Sequence, residues 1–209
     1  MNILYLCTGN ICRSAMAEAF TLQALSTVGS VEAKIKSAGL EAEEGQTPPA
    51  EVVSVMGEHG LDISDHHAHR LEAREVEDAD IILAMAKHNS QRLLTGHQEA
   101  VQKVFTLKEF IIQGKKRASG LEETDPEKRL VELKSLIRRV DGSTLRKGEK
   151  GLNHHLGLFF LHYYQIYDHR FTIDDPLGQS MDFMRRTAEE IRHCVEELLG
   201  PALLGLHNG

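Results

Sequence analysis

Cys7 and Arg13 are the two residues whose types and spacing suit them to act together, and they lie six positions apart. A cysteine thiolate is a strong nucleophile, and a guanidinium holds two oxygens of a phosphoryl group in a planar fork. Gly9 and Asn10 between them signal a tight turn, whose backbone N–H groups can converge on an anion. The pattern predicts attack by sulfur on a phosphoryl group held in the turn.

The flanking sequence predicts the elements that position this pair. Residues 2–6 form a short apolar run typical of a buried strand, and residues 14–20 are typical of a helix with Ser14 near its start. Cys7 would then end a strand, and Arg13 would lie at the positive end of a helix, where anions are stabilised. Open α/β sheets bind their ligands at this edge.

The alternation of strand and helix continues downstream. Strands are predicted over residues 32–37, 79–86 and 103–107, and helices from Pro48 or Pro49 to His59 and over residues 179–199. The last segment has apolar residues at steps of three and four, namely Met184, Ala188, Ile191, Val195 and Leu198. An α/β chain with a mostly parallel sheet is the fold class this predicts.

The region before Asp174 breaks this rhythm. It is predicted as a loop over residues 113–125, a charged helix over 125–140, a loop over 141–151 and a second helix over 152–171. The last of these holds six of the eleven aromatic residues of the chain. We therefore predict a helical insertion, residues 113–170, within a single domain of residues 1–209.

Composition excludes several classes of protein. The 209 residues carry 24 basic and 31 acidic side chains, a formal charge of −7, which argues against a nucleic-acid or anionic-membrane surface. No apolar run is long enough to span a bilayer, and the apolar start lacks the basic flank of a signal peptide. Three cysteines are too few for a disulfide framework, so a cytoplasmic protein is expected.

The segment Cys7-Thr8-Gly9-Asn10-Ile11-Cys12-Arg13-Ser14 with Ala17-Glu18-Ala19 resembles the signature of the low-molecular-weight protein tyrosine phosphatases. The resemblance covers roughly residues 1–112 and 172–200, and leaves the insertion unexplained. It implies a three-layer α/β/α, flavodoxin-like fold with a four-stranded parallel sheet, and no cofactor. The predicted insertion then lies directly before the general-acid loop. Further matching segments are Ser37-Ala38-Gly39-Leu40, residues 60–66, 80–85 and 103–110, and Asp175-Pro176.

The resemblance also implies a role for each residue of the loop. Cys7 would form a cysteinyl-phosphate intermediate, Arg13 would clamp the phosphoryl group, and Ser14 would stabilise the thiolate. Asn10 would hold the loop in shape through side-chain hydrogen bonds. The remaining residues of the phosphate-binding loop are Thr8, Gly9, Ile11 and Cys12.

Asp175 would be the general acid and then the general base. Asp174 is its local competitor, and the pairing with Pro176 favours Asp175. Cys12 would form a reversible disulfide with Cys7 that protects it from over-oxidation; equally, Cys12 can be a small buried residue.

Two positions bear on the phosphorylated protein substrate, and they disagree. Family members specific for phosphoarginine have threonine where this chain has Ile11, whereas tyrosine-directed members usually have an aromatic residue where this chain has Leu177. Ile11 lies inside the loop and weighs more. Phosphotyrosine is therefore predicted, with phosphoarginine as the alternative.

Other classes of function fit less well. An arsenate reductase needs two further downstream cysteines, and Cys194 is the one other cysteine of the chain. A non-catalytic phosphoprotein-binding module would lack the nucleophile or the acid. The histidines are predicted to be ordinary surface residues rather than metal ligands, namely His66, His67, His69, His154, His155 and His162.

The insertion has two readings. Its aromatic residues most often mean packing against the parent domain, while its place before the Asp175 loop suits a lid or the contact surface of a homodimer or partner.

Overall fold

The fold is built on one sheet of four parallel strands. The computed structural model describes residues 1–26, 32–118, 120–138 and 169–206. The strands are β1 (Asn2–Cys7), β2 (Lys34–Gly39), β3 (Ile81–Ala84) and β4 (Val104–Thr106). Their order in the sheet is β2-β1-β3-β4, the flavodoxin-like order, so β1 lies in the interior with Cys7 at its carboxyl end.

Helices follow the strands and one another along the chain. They are α1 (Arg13–Ser26), α2 (Ala50–Glu58), α3 (Ala73–Asp78), α4 (Lys87–Gly96), α5 (Leu107–Arg117), α6 (Pro126–Arg138) and α7 (Met181–Leu199). Short 3₁₀ turns cover Gln98–Gln102 and His169–Phe171. No helix among the described residues is both long and apolar enough to cross a membrane.

Helices cover both faces of the sheet. Alternate residues of β1 point to opposite faces, so Ile3 and Tyr5 join one buried cluster while Leu4 and Leu6 join another. The first cluster includes residues of α1, α2, α5, α6 and α7, and the second includes residues of α3 and α4. The predicted three-layer α/β/α architecture is therefore confirmed.

The predicted helix signals operate as expected. Pro49 lies at the N-cap of α2, and Gly60 follows its end with a φ of +73°, the left-handed conformation that suits glycine after a helix. The apolar positions predicted for α7 are all buried: Met184, Ala188, Ile191, Val195 and Leu198.

Two predicted boundaries are wrong. Residues 113–117, predicted as a loop, are the last residues of α5; three are basic, which suits the negative end of a helix. The strand predicted over 79–86 is shorter, because Ala79 is the C-cap of α3 and Ala86 is the N-cap of α4.

The segment predicted as an insertion packs partly into the main core. The predicted charged helix is α6, and its residues Leu130, Leu133 and Ile137 join the cluster on the α1 face of the sheet. Phe171, directly after the predicted end of the segment at residue 170, is buried as well. Residues 139–168, with most of the predicted aromatic helix, lie outside the described residues, and the limits of the insertion stay a prediction.

The strand β2 closely approaches the loop that follows β1. Gly39 pairs with Cys7 in the sheet, and a methyl group on Gly39 would lie 2.7 Å from the Thr8 carbonyl oxygen and 3.0 Å from the Asn10 backbone nitrogen. Only glycine leaves room for the loop at this position.

We expect Gly39→Ala to lower the free energy of unfolding by about 1–3 kcal/mol, since the added methyl group forces backbone to move. Gly57→Ala is the matched control, because Gly57 lies in α2 with nothing within 4 Å of the added methyl group; it should raise the free energy of unfolding by roughly 0.5–1 kcal/mol. Urea unfolding followed by circular dichroism measures both changes. Equal effects of the two substitutions would contradict the close approach.

Candidate active site

The predicted nucleophile lies at the bottom of the loop between β1 and α1. Cys7 is buried, and its Sγ accepts a hydrogen bond from the Asn10 backbone N–H at 3.1 Å. The Ser14 hydroxyl oxygen lies 3.0 Å from the same sulfur. The Leu40 N–H, just after β2, donates to the Cys7 carbonyl at 3.0 Å. The sulfur therefore faces donors from both the loop and the first turn of α1.

Asn10 holds the loop in its shape. Its φ of +56° makes it the one non-glycine residue with a left-handed backbone among the described residues, a conformation that asparagine tolerates. Its side-chain Nδ2 donates to Ser14 Oγ at 3.0 Å and to Ser37 Oγ at 2.8 Å. Its Oδ1 accepts from the His69 backbone N–H at 3.0 Å. All hydrogen-bonding groups of the amide are thus engaged, as the resemblance implied for this residue.

These bonds fix the direction of two hydroxyl protons. Because Asn10 donates to Ser14, the serine's own proton is left to point at the Cys7 sulfur. Ser37 likewise receives a bond from Asn10 and donates to Glu18 Oε2 at 2.6 Å. Burial raises the pKa of Glu18, and the bond from Ser37 acts in the opposite direction. Because Ser14 receives its hydrogen bond from Asn10, its own proton is free to stabilise negative charge on the Cys7 sulfur.

Arg13 lies buried at the start of α1, with its guanidinium held at both ends. Its side chain is 4% exposed. Nη1 donates to the Ile173 carbonyl at 3.1 Å, and Nη2 pairs with the Asp175 carboxylate. Arg13 therefore joins the phosphate-binding loop to the segment that contains Ile173 and Asp175, more than 150 residues further along the chain.

The segment carrying the predicted acid is anchored to the sheet. The Ile173 N–H donates to the Met85 carbonyl at 2.8 Å, just after β3. The Leu177 N–H donates to Asp175 Oδ1 at 3.1 Å, which closes a short turn around Pro176. Of the two neighbouring acids, Asp175 is the one that the structure brings to Arg13, and its side chain remains 49% exposed.

The other predicted loop residues form the walls. The Thr8 hydroxyl accepts a hydrogen bond from Asn89 Nδ2 at 3.1 Å. Ile11 is buried in a small apolar cluster with Ala42 and Ala68. Gly9 lies beside Ile11, since a methyl group added at Gly9 would be 3.7 Å from Ile11 Cγ1.

Cys12 faces away from solvent. Its Sγ lies 3.9 Å from the Met184 Sδ of α7, and burial raises the pKa of its thiol to about 12. Cys7, Cys12 and Cys194 are all free thiols in the structure. Burial also raises the pKa of Cys194 to about 12, as expected for a packed residue of α7.

Two of the histidines predicted to be surface residues are partly buried and make hydrogen bonds. His66 Nε2 lies 2.8 Å from the Asn10 carbonyl oxygen, and His69 Nε2 lies 3.0 Å from Glu75 Oε1. His67 is exposed. No group of three or more metal-ligating side chains occurs among the described residues, which leave out His154, His155 and His162.

Sequence reasoning gave no role to several residues of the site. Ser37, Glu18 and His69 support Asn10 from other elements, and Asn89 contacts Thr8 from α4. The register of β1 with β2 pairs Cys7 with Gly39 and so brings Ser37, two residues earlier, alongside Tyr5. The strand pairing is the signal that would have found Ser37.

A doubly wound sheet with a Cys-x5-Arg loop at the end of its first strand, and a carboxylate brought to the arginine, defines the class of cysteine-dependent phosphatases. The family model described as "Low molecular weight phosphotyrosine protein phosphatase" matches residues 2–146. This chain belongs to that family, as its sequence predicted.

Curated relatives carry two kinds of name. The chain is 40% identical over 108 residues to the probable low molecular weight protein-tyrosine-phosphatase EpsP of Ralstonia solanacearum, a match covering 52% of this chain and 71% of the relative. It is 35% identical over 109 residues to the protein-arginine-phosphatase of Geobacillus stearothermophilus, covering 52% and 70%. Both names confirm the predicted enzyme class of protein phosphatase.

Solved structures of the family share the fold. A low molecular weight protein tyrosine phosphatase from T. tengcongensis superimposes with a TM-score of 0.64 at 28% identity, covering 95% of this chain and 97% of that one. The arginine phosphatase YwlE from Geobacillus stearothermophilus gives a TM-score of 0.61 at 24% identity, covering 94% and 89%. The predicted flavodoxin-like fold is thereby confirmed.

Proposed function

We propose that this protein hydrolyses phosphotyrosine in proteins through a cysteinyl-phosphate intermediate. One observation carries the proposal: Cys7 Sγ receives a backbone N–H at 3.1 Å and faces a hydroxyl at 3.0 Å, in a loop whose arginine reaches Asp175. Donors converge on a sulfur anion, and a carboxyl group lies at the same site. These are the groups that phosphoryl transfer to sulfur requires.

In the first step the Cys7 thiolate attacks phosphorus. The sulfur–phosphorus bond forms while the bond from phosphorus to the tyrosine oxygen breaks, and Asp175 in its protonated form gives its proton to that oxygen. The Arg13 guanidinium and the loop N–H groups hold the charge on the phosphoryl oxygens. Tyrosine leaves as a neutral phenol.

In the second step water attacks the phosphorus of the intermediate. The Asp175 carboxylate accepts a proton from that water, the sulfur–phosphorus bond breaks, and phosphate is released. Cys7 returns as a thiolate, to which the Ser14 hydroxyl again donates. Asp175, which now carries that proton, releases it to solvent and pairs with Arg13 again.

The ion pair between Arg13 and Asp175 suits this cycle. The carboxylate and a phosphoryl group are both anions that fit the guanidinium fork. A substrate that enters the loop takes over Nη2 from Asp175. The released carboxylate takes a proton from solvent and then lies beside the leaving oxygen as the acid. The half-exposed side chain of Asp175 has the room to make this exchange.

Ile11 supports phosphotyrosine as the substrate. Its hydrocarbon side chain packs against Ala42 and Ala68 and offers no hydroxyl to a water molecule, whereas the phosphoarginine-specific branch has threonine there.

A specific observation keeps phosphoarginine as the second candidate. Leu177, two residues after the acid, is 47% exposed at the place where tyrosine-directed members carry an aromatic side chain. A leucine there covers a phenol ring less well than an aromatic residue does.

The remaining predictions go beyond the site. A reversible Cys7–Cys12 disulfide, a cytoplasmic location, and a lid or dimer contact formed by residues 113–170 stay predictions. Absence of nucleic-acid and membrane partners rests on the formal charge of −7.

We expect Cys7→Ser to abolish turnover, because serine is a far weaker nucleophile than a thiolate, while inorganic phosphate still binds the loop. Steady-state kinetics with p-nitrophenyl phosphate and phosphate titration by calorimetry measure the two properties. Cys194→Ser, in the buried face of α7, is the control and should keep most activity. Substantial turnover by the Cys7 variant would overturn the assignment of the nucleophile.

Asp175→Ala should slow the hydrolysis of phenyl phosphate by about 10²–10⁴-fold, the usual contribution of a general acid. Hydrolysis of an activated aryl ester should slow less, since its leaving group needs less help from a proton. Asp174→Ala is the neighbouring control and should leave kcat nearly unchanged. An equal loss for good and poor leaving groups would remove Asp175 as the acid.

Phosphotyrosine and phosphoarginine peptides of one sequence, compared side by side, test the choice of substrate. We expect a higher kcat/KM on phosphotyrosine, and expect Ile11→Thr to shift the ratio toward phosphoarginine. A preference for phosphoarginine in the unchanged protein would establish the second candidate in place of the first.

A further inference from the structure

The first turn of α4 forms part of the wall of the active site. Helix α4 follows β3, which pairs directly with β1, so its N-terminus lies at the same edge of the sheet as Cys7. Burial and the charge of Arg13 lower the pKa of His88, while Asp175 acts to raise it. His88 therefore lies within electrostatic reach of both residues, and Asn89 follows it directly.

Asn89 is buried and incompletely paired. The residue is 1% exposed, and its Nδ2 donates to Thr8 Oγ1 at 3.1 Å. Among the described residues, Asn89 Oδ1 is the one buried side-chain oxygen or nitrogen without a hydrogen-bond partner. Since an unpaired buried oxygen is unfavourable, an apolar residue would serve the core better here. The hydrogen bond to Thr8 is the side-chain interaction that an amide makes here and an apolar residue could not.

That bond determines where the Thr8 proton points. Asn89 supplies the hydrogen, so Thr8 Oγ1 acts as the acceptor and its own proton is directed elsewhere. The backbone of Thr8 is fixed too, because the Glu41 N–H donates to its carbonyl at 2.8 Å. Thr8 directly follows the nucleophile and is only half-buried, so it adjoins the position that a phosphoryl group on Cys7 would occupy.

We propose that Asn89 is a positioning residue that orients the Thr8 hydroxyl as a hydrogen-bond donor to an oxygen of the bound phosphoryl group. The arrangement parallels the one below the sulfur, where Asn10 donates to Ser14 and thereby turns the serine proton toward Cys7. Two asparagine amides thus commit two hydroxyl groups as donors. The inference rests on the proposed function in that the phosphoryl group is the one the enzyme hydrolyses.

A double-mutant cycle on Thr8 and Asn89 tests the proposal. Thr8→Val and Asn89→Leu remove the hydroxyl and the amide with little change of volume. Each should weaken the binding of inorganic phosphate, measured by calorimetry, and lower kcat/KM on p-nitrophenyl phosphate, by about tenfold. The double variant should lose no more than Thr8→Val alone, because the amide acts through the hydroxyl. Thr8→Ser should restore both properties.

A merely structural role for Asn89 predicts a different pattern. The losses of the two single variants would then multiply to about a hundredfold in the double variant. Separately, a Thr8→Ser variant that behaves like Thr8→Val would show that the Thr8 hydroxyl is not the donor. Either result would overturn the proposal. Ser90→Ala is the control from the same turn of α4: it removes a buried hydrogen bond to the Lys87 carbonyl and should lower the melting temperature without changing phosphate affinity.

Failure of this inference and failure of the proposed function give different results. If the unchanged protein hydrolyses no phosphorylated substrate, the proposed function fails, but the cycle on phosphate binding still decides the role of Asn89. If hydrolysis is normal and the losses are independent, only the positioning role is lost.

Discussion

The left-handed backbone at Asn10 is the constraint on which the site depends. A non-glycine residue in this conformation costs on the order of 1–3 kcal/mol, less for asparagine than for most, and persists where its surroundings hold it. Here they do, through hydrogen bonds to Ser14, Ser37 and His69. These partners belong to α1, to β2 and to the segment before α3. The bend that turns the Asn10 N–H toward the Cys7 sulfur is therefore set by the register of the sheet as much as by the loop itself.

The same network explains why an amide stands at this position. Both ends of the chain of bonds accept hydrogen: the sulfur of Cys7 at one end and the carboxylate of Glu18 at the other. Ser14 and Ser37 face these acceptors. Each serine must receive a hydrogen bond from Asn10, which lies between them, if its own proton is to point at its acceptor. An amide nitrogen has two hydrogens and serves both; a carboxylate at Asn10 would reverse both serines and leave the sulfur without a hydroxyl donor.

The parts that could be predicted from sequence were those set by short-range pattern. Cys7 and Arg13 are separated by one turn between an apolar strand and a helix, so both the loop and its anion chemistry follow from a few neighbouring residues. Helices α3 and α4 were missed because they are short and lack a clear apolar stripe; α4 even buries Lys87, paired with Glu109 at 3.3 Å. The partners of the loop come from other elements. The contact of Asn89 with Thr8 could not be predicted until β3 is placed beside β1.

Charge balance links the acid to the state of the loop. The guanidinium of Arg13 is almost fully buried, and a buried cation without a counter-ion is strongly unfavourable. Asp175 provides that counter-ion from a half-exposed turn, while the Ile173 carbonyl holds the other nitrogen. A phosphoryl dianion meets the same need, so carboxylate and substrate are alternative partners of one arginine. The carboxylate is thus kept at the mouth of the loop by the charge that binds the substrate. Substrate binding releases it from that charge, so that it can take up the proton it later gives to the leaving group.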